Sequence, residues 1–158
     1  MFRSETYGKL NIEQIPEKLL AFYDKNKDIE GVFQIVVGTD SQNFNDTKMV
    51  TVIAAYKEGH GGIFFYDVER INRITNVKQK LNTETSRSLE IMMQLAGELE
   101  EESKFKKMRD DTLLSIVEAE KEDWQLGLQS NVIETALPFM CWLASTFGCD
   151  AQCKGVAL

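Results

Sequence analysis

Histidine and proline are scarce in this sequence, which has one His, two Pro and three Cys among its 158 residues. The single histidine, His60, lies among glycines and far from Cys141, Cys149 and Cys153, so a cysteine-based metal site lacks partners. Three cysteines crowded near one end suit reduced thiols better than a disulfide framework. The few prolines and the absence of low-complexity tracts argue against disorder.

Long apolar runs and excess positive charge are also lacking. No segment has the length of apolar sequence that a membrane span requires, and the first residues, MFRSETYGKL, lack the apolar core of a secretory signal. We therefore expect a cytoplasmic protein with no membrane partner. The formal net charge is −7, and proteins that bind nucleic acid through its phosphates usually carry a basic stripe. The composition therefore disfavours nucleic-acid binding.

The length and the pattern of the sequence predict a single α/β domain over residues 1–158. Apolar periodicity and turn residues define the elements in chain order. These are a helix over 11–26, strands over 32–39, 49–57 and 62–71, a helix over 75–107 with a break near Asn82, a strand over 112–120, a helix over 131–147 and a strand over 150–158.

This order predicts a five-stranded mixed sheet with flanking helices. Two short, turn-rich connections join the first three strands, which favours an antiparallel meander. The later helices return the chain to strands that continue the sheet in parallel. The helix over 131–147 is apolar on nearly every side, so we expect it to be sandwiched between layers or buried against a second copy in a homodimer.

Three predicted elements each bring a carboxylate into an apolar setting. Asp40 follows the apolar run that begins at Val32, and Glu84 interrupts an apolar helical stripe that it shares with Ser88. The apolar residues predicted close to this stripe are Val77, Leu81, Leu89, Met92, Leu95 and Leu99. Glu118 and Glu120 replace apolar residues toward the carboxyl end of the fourth strand. Converging carboxylates need a cation or a proton between them, and ligand sets made only of oxygen favour Mg²⁺ or Mn²⁺.

Each acid also has an ordinary structural interpretation. Asp40 is typical of a residue that caps a turn, and Glu84 could lie at a kink near Asn82 and point to water. Glu118 and Glu120 could be charges of an edge strand or pair with Lys121. The sequence alone leaves these alternatives open.

The motif GTDSQ, residues 38–42, resembles that of the YkuK family of ribonuclease H-like proteins. The resemblance continues with the GHGG hairpin over 59–62, with Glu84 followed by Ser88 and Leu89, and with Lys154 in the last strand. It implies a ribonuclease H-like fold in which Asp40, Glu84 and Glu118 or Glu120 bind divalent metal. Two departures are that the fourth strand reads VEAE where the family tends to show His and Asp, and that Leu158 comes before the expected position of a final helix that could bring a further acidic ligand.

Two functions of different classes follow. The first is a nuclease that hydrolyses phosphodiester bonds with Mg²⁺ or Mn²⁺, with Asp40, Glu84 and Glu118 as metal ligands and Glu120 as the alternative acid. In it, Ser41, Gln42 and Lys154 would contact substrate, and Ser41 and Gln42 could instead orient neighbouring groups. The second is a ribonuclease H-like module that has lost catalysis and binds a protein, which the acidic balance favours. An ATP-binding relative of the sugar kinases is a remoter option, because the chain is too short for their two-domain cleft.

Overall fold

The computed structural model describes residues 1–57 and 60–118 of the chain. Six strands in this part are β1 (Phe2–Ser4), β2 (Gly8–Leu10), β3 (Phe33–Asn43), β4 (Thr47–Lys57), β5 (Gly62–Ile71) and β6 (Thr112–Glu118). The α-helices are α1 (Ile15–Asn26), α2 (Val77–Glu101) and α3 (Lys106–Asp111), and short 3₁₀ turns at Ile12–Gln14 and Ser103–Phe105 precede α1 and α3.

The six strands form one mixed sheet in the order β2-β1-β5-β4-β3-β6. Strands β3, β4 and β5 form the predicted antiparallel meander, and β6 pairs with β3 in parallel, as predicted for the fourth strand. The hairpin of β1 and β2 was not predicted, so the sheet has more strands than the five expected. The predicted helix over 131–147 and strand over 150–158 lie outside the described residues.

The boundary predicted for the first strand of the meander is wrong. We expected it to end at Thr39, but β3 continues to Asn43 and remains paired with β4 to its last residue. The turn lies at residues 44–46, where the Phe44 N–H donates to the Asp46 carbonyl at 2.7 Å. The polar residues after Gly38 therefore belong to the sheet, since each residue to Asn43 has a paired residue in β4.

The long predicted helix is divided at a different place from the one expected. Helix α2 passes through Asn82 without a break and ends at Glu101, where Glu102 adopts an extended conformation with φ −118° and ψ 132°. This change of direction allows Phe105 and Met108 to join the core. Packing of these two side chains, and not local propensity at Asn82, therefore decides where the helix ends.

The start of α1 follows the sequence closely. A capping box at Asn11 and Gln14 begins the 3₁₀ turn that leads into α1, and the Asn11 N–H donates to Gln14 Oε1 at 2.8 Å. Pro16 occupies the first turn of α1, where its missing N–H costs no helical hydrogen bond.

All three described helices contribute to one hydrophobic core on the same face of the sheet, which we call the helix face. Their buried side chains pack on alternate residues of β3, β4 and β5; the central ones are Ile15, Leu19, Ile35, Val37, Ile53, Phe65, Leu95 and Leu99. The other series of alternate residues in β3 and β4 is also buried, at Val36, Val50, Val52 and Ala54. Among the described residues, no helix is both long and apolar enough to cross a membrane.

Candidate functional site

Strand β3 changes from apolar to polar on both of its faces at its carboxyl end. On the helix face, Ile35 and Val37 are followed by Thr39 and Ser41, which are each only 1% exposed. On the opposite face, the buried Val36 is followed after Gly38 by Asp40 and Gln42. Successive residues of a strand alternate between faces, so this end of β3 carries one pair of polar residues on each face of the sheet.

Helix α2 turns a polar pair of its own toward this end of β3. Its buried stripe consists of Glu84, Ser88, Ile91, Leu95 and Leu99, at helical spacing. The prediction that Glu84 and Ser88 share the apolar side is confirmed. The alternative in which Glu84 points to water is wrong, because the residue is 5% exposed.

The predicted stripe is inaccurate at its margins. Val77 and Leu89 are 64% and 49% exposed. Ile91 is buried where the prediction placed Met92. Leu89 turns away because one residue along a helix rotates the side chain by about 100° from Ser88.

The two polar residues of α2 each bond to a polar residue of β3. The Ser41 hydroxyl donates to Glu84 Oε1, and the contact is buried. One turn along the helix, the Ser88 hydroxyl donates to Thr39 Oγ1 at 2.9 Å, and Thr39 Oγ1 lies 3.1 Å from the Thr51 hydroxyl on β4. Buried polar groups are costly unless they are hydrogen-bonded, so these contacts fix both the register and the depth of α2 on the sheet.

Asp40 approaches the same serine from another direction. Its Oδ1 accepts a hydrogen bond from the Ser41 backbone N–H at 2.8 Å. Its neighbours Thr39 and Ser41 both contact α2, so alternation along the strand places Asp40 on the face opposite the helix. Its partner in the register is Val50, which is 2% exposed, so this carboxylate stands beside buried apolar surface.

Ser41 therefore links the two predicted acids directly. Glu84 Oε1 accepts its hydroxyl and Asp40 Oδ1 accepts its N–H. Ordinary bond lengths across one serine place these two carboxylate oxygens within about 9 Å of each other. Carboxylates bound to a pair of metal ions about 4 Å apart, each with bonds near 2.1 Å, span up to about 8 Å. The separation is compatible with ligands at the two ends of such a pair.

The third predicted acid is described only through its backbone. Glu118 is the last residue of β6 and pairs with Thr39, the residue before Asp40. Glu120 and Lys154 lie outside the described residues, and among the described side chains no group of three or more His, Cys, Asp and Glu could hold a metal ion.

Gln42 adds a further oxygen at this end of the sheet. Its Oε1 is buried and has no hydrogen-bond partner among the described residues. A buried amide oxygen without a donor is costly, and carbonyl oxygens are ligands that Mg²⁺ and Mn²⁺ accept. Gln42 lies two residues after Asp40 in the same alternating series. The oxygen donors of Asp40, Glu84 and Gln42 therefore suit a hard divalent cation.

A polar groove of about 480 Å³ runs along the first turns of α2. It is lined by Asn76, Lys78, Gln79, Asn82, Thr83 and Ser86. Asn76 is the N-cap of the helix, and its Oδ1 accepts the Gln79 N–H at 3.0 Å. Glu84 belongs to the same turns but faces the sheet, so the groove and the buried carboxylate lie on different sides of one helix segment.

Two residues of the polar cluster, Thr39 and Thr51, were not singled out from the sequence. Both occupy positions where the alternation of their strands calls for an apolar residue, in the series of Val37 and Ile53. Polar residues at inward positions of two adjacent strands could have predicted a buried polar cluster, because buried hydroxyls need hydrogen-bond partners.

Comparison with known proteins identifies the family to which this fold belongs. A family model described as Ribonuclease H-like matches residues 14–118, which is more than half of the chain. The matched segment includes α1, the meander, α2 and β6, and therefore Asp40, Glu84 and Glu118. No curated protein and no solved structure matches the chain significantly.

Proposed function

Because the chain belongs to the ribonuclease H-like family, we propose that it is a metal-dependent nuclease that hydrolyses phosphodiester bonds. The observation that carries the proposal is the burial of Glu84. This carboxylate is 5% exposed on an otherwise apolar stripe and is tied to the residue next to Asp40. Burial of an acid in a core costs stability unless other groups offset it, so a role in function accounts for its presence.

In this proposal, Asp40 and Glu84 hold Mg²⁺ or Mn²⁺ together with Glu118 or Glu120. A bound cation of this kind supplies activation of water and stabilisation of the leaving oxygen. The residues of the chain hold and orient it. Asp40 and Glu84 present their carboxylates from two sides of Ser41. Gln42 Oε1, which has no partner in the described part of the chain, offers a further oxygen to the cation or to the substrate.

The substrate class follows from the same chemistry. Divalent cations offset part of the repulsion between a phosphate backbone and a chain of net charge −7. The groove along α2 offers amide groups, hydroxyls and the Lys78 ammonium, which are the donors that phosphate and sugar oxygens accept. We therefore propose a nucleic-acid strand as the substrate. Lys154 is a further proposed substrate contact, and a homodimer through residues 131–147 is the proposed assembly.

We further propose that the chain belongs to the YkuK subgroup of the family. The support is the GTDSQ motif over 38–42, which the structure places at the polar end of β3. Thr39, Asp40, Ser41 and Gln42 each provide a buried or bonded polar group at this end of the sheet. The motif therefore coincides with the candidate site.

A cleavage assay with labelled single strands, duplexes and RNA–DNA hybrids tests the function. We expect cleavage that requires Mn²⁺ or Mg²⁺ and falls by about 10²-fold or more in Asp40→Asn and Glu84→Gln. Asp46→Asn is the matched control, because Asp46 lies just beyond β3 and pairs at 2.7 Å with the exposed Arg70. Cleavage that persists in Asp40→Asn would come from another enzyme. Absence of cleavage and of metal binding in the wild type would favour the inactive, protein-binding module.

A further inference from the structure

We propose that Ser41 is a positioning residue that fixes both carboxylates of the site, Glu84 through its hydroxyl and Asp40 through its backbone N–H. This inference rests on the proposed metal-dependent function. It assigns to Ser41 a role in orienting protein groups and not in contacting substrate. The side chain is suited to this role because the residue is 1% exposed and its hydroxyl proton is already donated to Glu84.

The hydroxyl matters because a glutamate on a helix has three rotatable side-chain bonds. Each hydrogen bond to the carboxylate reduces the number of rotamers that it samples, and most of those rotamers do not point to one shared position. The Ser41 hydroxyl binds Oε1 and selects the rotamer that brings the carboxylate to the carboxyl end of β3. A carboxylate has two oxygens, so one can accept the hydroxyl while the other binds a cation.

The backbone N–H of Ser41, unlike its hydroxyl, does not depend on the side chain at this position. It bonds to Asp40 Oδ1 at 2.8 Å and remains present whatever side chain occupies position 41. Substitution of the side chain therefore removes one hydrogen bond to the Glu84 carboxylate and leaves the contact with Asp40 in place. The expected defect is partial: metal binding weakens but is not abolished, in contrast to substitution of either acid.

The chain provides a matched control in Ser88. This serine is also 1% exposed, and its hydroxyl donates across the same interface between α2 and β3, one turn away from Glu84. Its partner is the Thr39 hydroxyl and not a carboxylate. Ser88→Ala and Ser41→Ala therefore remove the same atom from similar surroundings, but only Ser41→Ala removes a contact to a proposed ligand.

Titration calorimetry with Mn²⁺ tests the assignment on folded, full-length variants. We expect Ser41→Ala to weaken Mn²⁺ binding by about 10–100-fold, the usual effect of losing a group that orients a metal ligand. Ser88→Ala should bind within about twofold of the wild type, and Ser41→Thr, which keeps a hydroxyl, should restore most of the affinity. Loss of affinity to the same degree in both alanine variants would overturn the assignment.

Two further outcomes separate this inference from the function on which it rests. Unchanged Mn²⁺ affinity in Ser41→Ala, beside clear binding by the wild type, would overturn the role of Ser41 and leave the metal site standing. Absence of binding by the wild type would overturn both. If Ser41→Ala does not fold, Ser41→Cys provides the comparison, because a thiol fills the same space and is a weaker donor than a hydroxyl. It should bind Mn²⁺ less tightly than Ser41→Thr, and equal affinity would overturn the inference.

Discussion

Removal of the Thr39 hydroxyl tests how α2 is held against the sheet. Thr39 lies between Ser88 on α2 and Thr51 on β4, with oxygen separations of 2.9 Å and 3.1 Å. All three residues are buried, with exposures from 1% to 3%. Thr39→Val keeps the shape and the β-branched side chain but removes the oxygen that both neighbours contact.

The magnitude follows from the number of polar groups left without a partner. Thr39→Val removes the hydroxyl that both Ser88 and Thr51 contact. Each buried hydroxyl without a partner costs about 1–3 kcal/mol, so we expect a loss of about 2–4 kcal/mol in the free energy of unfolding. Ser88→Ala leaves the pair of Thr39 and Thr51 intact, and its expected cost is about 1–2 kcal/mol.

The variant that combines Thr39→Val with Ser88→Ala measures the coupling free energy between the two residues. Once Ser88 is alanine, Thr39→Val no longer leaves a serine hydroxyl without its acceptor. The cost of the double variant should therefore be smaller than the two single costs added together, by about 1 kcal/mol or more. Urea unfolding followed by circular dichroism measures all four members of the cycle.

Additivity within about 0.3 kcal/mol would refute this reasoning, because independent sites add and contacting residues do not. It would mean that the hydroxyls of Ser88 and Thr39 do not bond to each other in solution.

Two further predictions concern the scaffold. Gly62→Ala should lower the free energy of unfolding in urea by about 1–3 kcal/mol, because the new Cβ would lie 2.7 Å from the Ala55 carbonyl oxygen. Gly97→Ala has no atom within 4 Å of the new Cβ and should stabilise α2 by about 0.5–1 kcal/mol. A change of the same sign in both variants would contradict the packing described for Gly62 and Gly97. Burial and the Asp111 carboxylate raise the pKa of Tyr23 from 10.0 to about 12, so its contribution to stability is complete below pH 10 and is lost as the pH rises through 12. Tyr23→Phe should flatten that decline in urea unfolding, and an unchanged decline would refute the shift.

The meander and the parallel strand beside it could be predicted because their amino-acid composition is typical of strands. Residues from Phe33 to Val37 and from Met49 to Ala55 are rich in β-branched side chains and are bounded by turn formers. The hairpin of β1 and β2 could not be predicted in this way. Its strands, FRS and GKL, have three residues each, too few to show a period, and they are held by pairing between β1 and β5.

The candidate site was predictable where a residue breaks a periodic pattern. Glu84 and Ser88 stand out on the α2 stripe, and the structure buries both. The link through Ser41 depends on strand alternation beyond Thr39, and the strand prediction stopped there. Once β3 is known to continue to Asn43, alternation places Ser41 beside the helix and Asp40 on the other face. The length of the strand depended on its pairing with β4, which is a tertiary property.

Calorimetric titration of the wild type and Asp40→Asn with Mn²⁺ tests the central claim most directly, with Asp46→Asn as the control for loss of one nearby carboxylate. The claim is that carboxylates from β3 and α2, both bonded to Ser41, take part in binding divalent metal. We predict saturable binding by the wild type and Asp46→Asn and none by Asp40→Asn. Equal binding by all three proteins, or no binding by the wild type, would contradict the claim.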